Sequence, residues 1–136
     1  VQAYSFRKFT FFDTVEKSAA LGLKSIEMYP GQKIGGELTG GTGHGMDATT
    51  RTALKEKLAK HGVSVVAYGV VNAKNEAGWR TIFEFAQDFG IGTVVIDLEL
   101  PNDFPEDKKS AVKRIAALCP VHETLKQMPT VDLEVV

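Results

Sequence analysis

The residues best suited to chemistry in this chain follow its predicted β-strands. In parallel α/β folds, ligands bind beyond the carboxyl ends of the strands, so polar side chains at those positions are the first candidates. Six candidates meet this criterion, and they are Ser5, Arg7, Glu27, Tyr68, Asn72 and Glu99. We predict Glu27 as the catalytic candidate and the other five as substrate-binding candidates.

Two of these candidates carry a specific chemical argument. The planar guanidinium of Arg7 suits a phosphate or a carboxylate, although Arg7 could equally be a solvated loop charge. Glu27 lies between Ile26 and Met28, in a strand expected to be buried on both faces. A buried carboxylate needs a partner or a role, because an unpaired buried charge is costly.

The fourth predicted strand offers Asp97 beside the candidate Glu99. Asp97 and Glu99 alternate with apolar residues, so they would share one face of that strand. In a barrel this face would be the lumen, whereas in an open sheet it could be the polar side of an exposed edge. Both interpretations stay open.

The elements that must position these residues repeat one pattern, in which an amphipathic helix is followed by a glycine and a short apolar strand. Helices are predicted at 13–21, 47–61, 76–89 and 105–118, with Asp13 as the cap of the first. Strands are predicted at 2–6, 24–29, 63–71 and 93–98, with a possible fifth at 131–136. Apolar strands that alternate with helices indicate a parallel sheet covered by helices.

A glycine-rich stretch at 31–45 follows the second predicted strand, with seven glycines among its residues. We predict a long mobile loop here. It is either a disordered connector or a lid over an active site at the carboxyl edge of the sheet.

Composition limits the class of protein. The 136 residues carry 16 basic and 17 acidic side chains, which argues against a surface built for nucleic acid or for an anionic membrane. No run approaches the ~20 apolar residues needed to span a bilayer. The single cysteine, Cys119, excludes an internal disulfide framework.

The beginning of the chain leaves its location open. It starts at Val1 with neither an initiator Met nor a signal peptide. Either a leader has been removed or the sequence has been trimmed, so we expect a soluble protein that is cytoplasmic or exported.

Familiar cofactor motifs are missing from the sequence. No pair of histidines has metal-ligand spacing on a helix, and no zinc-type cysteine pattern occurs. The glycine stretch lacks the Gly-Lys-Ser/Thr ending of a phosphate-binding loop.

Three segments together resemble the sugar phosphate isomerase/epimerase family of xylose-isomerase-like TIM barrels. They are AYSFRKFTFFDTVEKSAALGLKSIEMYPGQK, GMDATTRTALKEKLAKHGVSVVAYGVV and NEAGWRTIFEFAQDFGI. The most specific features are S-F-R-K-F, a Glu-bearing strand that leads into P-G-Q, and V-x-Y-G-V-V. The resemblance runs from about residue 3 to residue 97, roughly the first four β/α units.

The resemblance implies a (β/α)₈ barrel whose active members use a divalent metal, such as Mn²⁺, Mg²⁺ or Zn²⁺, to isomerise or epimerise a sugar or sugar phosphate. It places Ser5, Arg7, Glu27 and Tyr68 at strand ends that line the substrate pocket. The family's metal ligands lie mainly on strands five to eight, and Glu134 is the single candidate from that half. The metal site is therefore expected to be absent or incomplete in one chain.

The sequence thus predicts one α/β domain over 1–136, made of about four to five units of a TIM-type barrel. A whole barrel needs ~250 residues, and a flavodoxin-like doubly wound sheet is the alternative that suits the length. The functional hypotheses are a partial sugar phosphate isomerase or epimerase, or a non-catalytic domain that binds a sugar or anion or serves assembly. Exposed sheet edges and an apolar inner face predict a homodimer, or a helical cover supplied by the tail of the chain.

Overall fold

A computed structural model describes residues 1–97 and 102–117 of the chain. The chain divides into two compact units, of which the first is Val1–Asp97. The second begins at Leu98, and its described residues include helix α4 (Glu106–Ala117). The predicted strand at 131–136 and the candidates Glu99 and Glu134 lie outside the described residues.

The first unit contains three of the predicted helices and strands at three of the four places predicted within it, together with two strands that the sequence did not predict. Its helices are α1 (Phe11–Ala20), α2 (Ala48–His61) and α3 (Glu76–Asp88). Its strands are β1 (Ser25–Met28), β2 (Lys33–Gly35), β3 (Leu38–Gly41), β4 (Ser64–Val71) and β5 (Thr93–Ile96). No helix within the described residues is both long and apolar enough to cross a membrane.

Three strands form a parallel sheet in the order β1-β4-β5, which confirms a mixed α/β fold with a parallel sheet. The start of the chain adds to the free edge of β1, because Gln2 forms a parallel bridge to Glu27. The Glu27 amide donates to the Val1 carbonyl at 2.8 Å. The described residues contain no closed barrel.

The predicted first strand at 2–6 is wrong beyond its first residue. Ala3–Phe6 instead forms a short 3₁₀ turn. The side-chain oxygen of Gln2 accepts a hydrogen bond from the Tyr4 amide at 2.7 Å. This local cap starts the turn, and the chain does not continue as a strand beside β1 after Gln2.

The hydrophobic core lies between the helices and one face of the sheet. Ile26 and Met28 of β1 and Tyr68 of β4 are fully buried in it. The helices contribute apolar side chains at helical spacing, namely Phe11, Val15, Leu54, Leu58, Ile82 and Phe85.

Part of the sheet has no cover in the described structure. Val66, Val70 and Ile96 keep 45%, 55% and 47% of their surface exposed. Parallel sheets are normally covered on both faces, so these side chains mark a surface of the sheet that remains open in this unit.

The first helix begins earlier than the sequence pattern indicates, and its cap is Thr10 rather than Asp13. The Asp13 amide donates to Thr10 Oγ1 at 3.2 Å, and Asp13 Oδ2 accepts from the Thr10 amide at 3.0 Å. The two residues thus form a reciprocal capping box, in which Asp13 is the third helical residue. Because carboxylates occur both at caps and in first turns, the sequence pattern placed this boundary about one turn late.

Replacing Thr10 by Ala removes this cap and should lower the free energy of unfolding by about 1 kcal/mol near pH 7. Hydrogen bonds from Thr10 lower the pKa of the Asp13 carboxyl, so the ionised form is favoured in the folded state. The associated stabilisation is present above about pH 4 and is lost as the pH falls through the lowered pKa. The difference between wild type and Thr10→Ala in urea unfolding should therefore shrink towards pH 3.

A suitable control is Thr52→Ala, because the recorded hydrogen bond of the Thr52 hydroxyl goes to the Ala48 carbonyl within α2 rather than to a carboxylate. Its effect should not depend on pH in the same range. A Thr10→Ala cost that stays constant from pH 7 to pH 3 would contradict the capping-box argument.

The glycine-rich stretch at 31–45 is not a disordered connector. It folds into an antiparallel hairpin of β2 and β3. The hairpin is closed by hydrogen bonds from the Gly31 amide to the Thr42 carbonyl and from the Thr42 amide to the Gln32 carbonyl. Gln32 anchors it from within the core, since its Nε2 donates to Thr14 Oγ1 at 2.9 Å and to the Phe9 carbonyl at 3.2 Å.

The remaining helix boundaries agree closely with the sequence patterns. Asp47 caps α2 by accepting from the Thr50 amide at 2.7 Å. Gly62 ends that helix with φ of 62°, the left-handed conformation that glycine adopts without steric cost. Asn75 caps α3 by accepting from the Gly78 amide at 2.9 Å.

Candidate functional site

The candidate site lies where the chain leaves Gln2 and where β1 ends, at the carboxyl edge of the sheet. Tyr4 and Tyr29 meet there edge to face, with ring centroids 5.2 Å apart. The Arg7 guanidinium lies 5.0 Å from the centroid of the Tyr4 ring. These three side chains form what we call the Tyr4–Arg7–Tyr29 cluster.

Local structure places each member of the cluster. The turn that Gln2 caps brings Tyr4 and Arg7 onto the end of β1, where Tyr29 follows the last strand residue. The Arg7 Nη1 donates a long hydrogen bond of 3.4 Å to the Tyr4 carbonyl. This contact and the aromatic ring hold the guanidinium above Tyr4 while leaving it exposed.

The cluster is electropositive. Arg7 forms no ion pair with a carboxylate among the described residues, whose ion pairs involve other cations. Burial raises the pKa of the Tyr29 hydroxyl, the nearby Tyr4 adds to this, and Arg7 opposes both. Tyr29 is therefore a neutral hydroxyl at pH 7, and Arg7 supplies the charge of the cluster.

Glu27 lies one step back along β1 from this edge. It is half-buried, and its Oε1 accepts a hydrogen bond from Gln2 Nε2 at 3.2 Å. Strand alternation points Glu27 away from the face that buries Ile26 and Met28. Its partner is a neutral amide, so the negative charge of the carboxylate is not cancelled by Gln2.

The structure places Tyr68 on the opposite side of the sheet from Glu27. Tyr68 pairs in register with Met28 and is fully buried, with its ring 4.9 Å from that of Phe85. Its hydroxyl accepts from the His44 amide at 3.3 Å and lies 3.0 Å from His44 Nδ1. Burial raises the pKa of Tyr68, and the hydrogen bond from the His44 backbone partly opposes this.

Tyr68 therefore does not line an accessible site with Glu27. The side chain contacts the core, and its polar tip fastens the end of the β2–β3 hairpin through His44. Register explains the difference, because a shift between Ile26 and Glu27 pairs Glu27 with Ala67 and Met28 with Tyr68.

The other predicted site residues lie outside the Tyr4–Arg7–Tyr29 cluster. Ser5 is exposed within the turn, and its amide donates to the Gln2 carbonyl at 3.0 Å. Asn72 is exposed after β4, where its Oδ1 accepts from the adjacent Ala73 amide at 2.7 Å. Asp97 is exposed at the end of the first unit.

Sequence reasoning missed Tyr4 and Gln2 as members of this site. Tyr4 fell within a predicted strand, where an aromatic residue is an ordinary component of the sheet. The signal that could have found it is the pairing of an aromatic residue with an arginine three positions later, just past the first strand residues. Gln2 gave no comparable signal, because its role depends on contact with Glu27, 25 residues away.

No metal centre is assembled in the part of the chain that the structure describes. Among residues 1–97 and 102–117, no group of three or more His, Cys, Asp or Glu side chains could hold a metal ion. The expected metal ligand Glu134 lies outside those ranges.

The fold and site together define a parallel α/β protein with a cationic aromatic cluster at the carboxyl edge of its sheet. No protein-family model matches the sequence, and no curated protein matches it. A solved structure with a similar fold is that of an uncharacterised protein from Parabacteroides distasonis, at 20% identity and a TM-score of 0.67. The similarity covers 85% of this chain and 47% of that one, so this chain spans about half the length of its neighbour.

Proposed function

We propose that this chain contributes the first β/α units of a sugar phosphate isomerase/epimerase-type barrel and binds a sugar or sugar phosphate at the Tyr4–Arg7–Tyr29 cluster. The observation that carries the proposal is the exposed Arg7 guanidinium, held over an aromatic ring at the strand edge that also carries Glu27. A cation without a carboxylate partner at this edge suits an anionic ligand.

The strand order supports a barrel over the doubly wound alternative. Gln2, β1, β4 and β5 neighbour one another in chain order. A flavodoxin-like sheet would place its first strand between the second and third. The open surface around Val66 and Val70 corresponds, in this proposal, to the lumen of the barrel.

Three side chains at this edge have a role in the proposal. The planar fork of Arg7 binds a phosphate or carboxylate group through paired hydrogen bonds. The exposed ring of Tyr4 packs against the apolar face of a sugar. Glu27 transfers a proton between the two carbons that exchange carbonyl and hydroxyl groups.

The resemblance to the isomerase family implies a divalent metal, which would polarise the carbonyl of the substrate if it were bound. The described residues do not fit such an ion, since no three suitable ligands group together. Further ligands would have to come from outside residues 1–97 and 102–117, or from a second chain in a homo-oligomer.

The second candidate is a non-catalytic domain that binds a sugar or an anion or serves assembly. The same absence of a grouped metal-ligand set among the described residues favours it. It shares the binding site with the first candidate and differs in the absence of turnover.

Calorimetric titration with a hexose phosphate, the free hexose and inorganic phosphate tests the binding proposal. We expect the hexose phosphate to bind most tightly, because it engages both the guanidinium and the aromatic ring. Arg7→Ala should weaken its affinity about tenfold, the loss of one charge-assisted interaction. Lys24→Ala is the matched control, since Lys24 is an exposed cation at the opposite end of β1 and should leave affinity unchanged.

Turnover separates the two candidates. If the chain or its complex interconverts an aldose and a ketose, Glu27→Gln should abolish the reaction while leaving ligand affinity close to wild type. Binding without turnover favours the non-catalytic candidate. Equal affinity of wild type and Arg7→Ala, or no binding by the wild type, would overturn the proposed site.

A further inference from the structure

Helix α3 carries a surface that neither the sheet nor the Tyr4–Arg7–Tyr29 cluster uses. One face of the helix buries Ile82, Phe85 and Ala86 in the core. The other face presents residues at helical spacing around an aromatic pair, in which Phe83 is exposed and Trp79 is partly buried against the core. This α3 stripe consists of Glu76, Trp79, Arg80, Phe83, Glu84 and Gln87, which line one open hollow.

The aromatic pair is the apolar centre of the stripe. Phe83 is 57% exposed, and its ring stacks on that of Trp79 with centroids 6.2 Å apart. Large exposed aromatic side chains rimmed by charges are typical of protein interaction surfaces. The rim here is Arg80, which pairs with Glu76 at 3.0 Å, together with Glu84.

The order of charges along α3 indicates what covers this surface. In an antiparallel pair of α3 helices related by a two-fold axis between positions 80 and 83, Arg80 of one copy lies beside Phe83 and Glu84 of the other. Glu76 of one copy then lies opposite the neutral Gln87. A parallel pair would instead place Arg80 against Arg80 and Glu84 against Glu84. Repulsion between these like charges disfavours the parallel arrangement.

We propose that the α3 stripe is a self-association surface, which pairs antiparallel with the same stripe of a second copy of this chain. The arrangement is isologous, as in the two-fold dimers that dominate homo-oligomers. With 13 residues, α3 is about 20 Å long, so the stripe is smaller than the ~800 Å² that a standard interface buries on each partner. The dimer is therefore weak and reversible. This inference does not depend on the proposed ligand or activity.

Sedimentation velocity of the full chain over a wide concentration range tests the surface. The wild type should pass reversibly from monomer to dimer as the concentration rises. Arg80→Glu and Glu84→Arg should each weaken the dimer by tenfold or more, because every substitution acts twice across the two-fold axis. The double variant Arg80→Glu/Glu84→Arg should recover affinity to within about threefold of wild type.

Matched controls lie on α2, where Lys60 and Glu56 are exposed and outside the stripe. Lys60→Glu and Glu56→Arg change net charge identically and should leave the dimer unaffected. Far-ultraviolet circular dichroism confirms folding, since all four substitutions are at exposed helical positions.

Two outcomes would overturn the proposal. One is that the chain stays monomeric at every concentration up to roughly 1 mM. A dissociation constant above that value would mean a free energy of dimerisation no stronger than about −4 kcal/mol. The other is a dimer that tolerates both single reversals on α3 but is lost in Val70→Asp, which would assign the interface to the open side of the sheet. Failure of the double variant to rescue either single reversal would likewise exclude the antiparallel register.

Discussion

Replacing Tyr68 by Ala should lower the free energy of unfolding of the first unit by about 3–5 kcal/mol. Tyr68 is fully buried and lies at the centre of contacts between β4, α3 and the end of the hairpin. Truncation removes its ring from Phe85 and leaves a cavity that the rigid sheet cannot close. Urea unfolding followed by circular dichroism and by Trp79 fluorescence measures the loss.

The hydroxyl of Tyr68 accounts for a separable part of this effect. In Tyr68→Phe the ring remains, but the His44 amide and Nδ1 lose their partner. We expect the free energy of unfolding to fall by about 1–2 kcal/mol. This is the usual loss when one partner of a hydrogen bond is removed and the other is left in a poorly solvated position. Tyr29→Phe is the matched control, because the side-chain hydrogen bond recorded at Tyr29 goes to its backbone carbonyl rather than to its hydroxyl. It should lower the free energy of unfolding by less than Tyr68→Phe.

A double-mutant cycle with His44→Ala tests whether His44 is the partner that matters. The two substitutions should cost less together than the sum of their separate effects. Strict additivity, or a neutral Tyr68→Phe, would show that the hydroxyl does not fasten the hairpin to the core.

Replacing Gly35 by Ala should lower the free energy of unfolding by about 2–3 kcal/mol and displace the β2–β3 hairpin from α1. Gly35 has φ of 105°, a conformation that residues with a Cβ rarely adopt. A Cβ at this position would also lie 2.7 Å from Thr10 Oγ1 and 2.9 Å from Thr10 Cβ. Backbone strain and damage to the α1 cap therefore add to each other.

The neighbouring glycine provides the control. Gly36 has φ of 64°, and the nearest atoms to a Cβ there belong to the Phe12 ring at 3.7 Å, an ordinary contact distance. Gly36→Ala should cost about 1 kcal/mol, the strain of the left-handed backbone alone. In a Thr10→Gly background the cost of Gly35→Ala should fall by about 1 kcal/mol, because the colliding side chain is gone. An unchanged cost in that background would show that the collision with Thr10 contributes nothing.

Local sequence patterns predicted most of the elements of the first unit. The helices α2 and α3, with the caps Asp47 and Gly62, follow from apolar spacing and from side chains that satisfy the free backbone groups at helix ends. The parallel sheet follows from the alternation of apolar strands with helices. These features depend on residues within a few positions of one another, so the sequence alone determines them.

The site followed from the sequence only in part. Arg7 and Glu27 were recognisable because strand ends in parallel sheets collect functional side chains, and the structure places both at or near that edge. Tyr4 was missed, because the turn that presents it depends on the side chain of Gln2 rather than on an apolar pattern. Whether these residues bind a sugar phosphate stays a prediction.

Tertiary structure alone decided the rest. The glycine-rich stretch became an ordered hairpin because the buried side chain of Gln32 reaches Thr14 and the Phe9 carbonyl, 18 or more residues away. Tyr68 took the core face rather than the face of Glu27 because of a one-residue shift in the pairing of β1 with β4. Such outcomes depend on register and on contacts between distant segments, and a local period of two or of 3.6 residues does not by itself fix either.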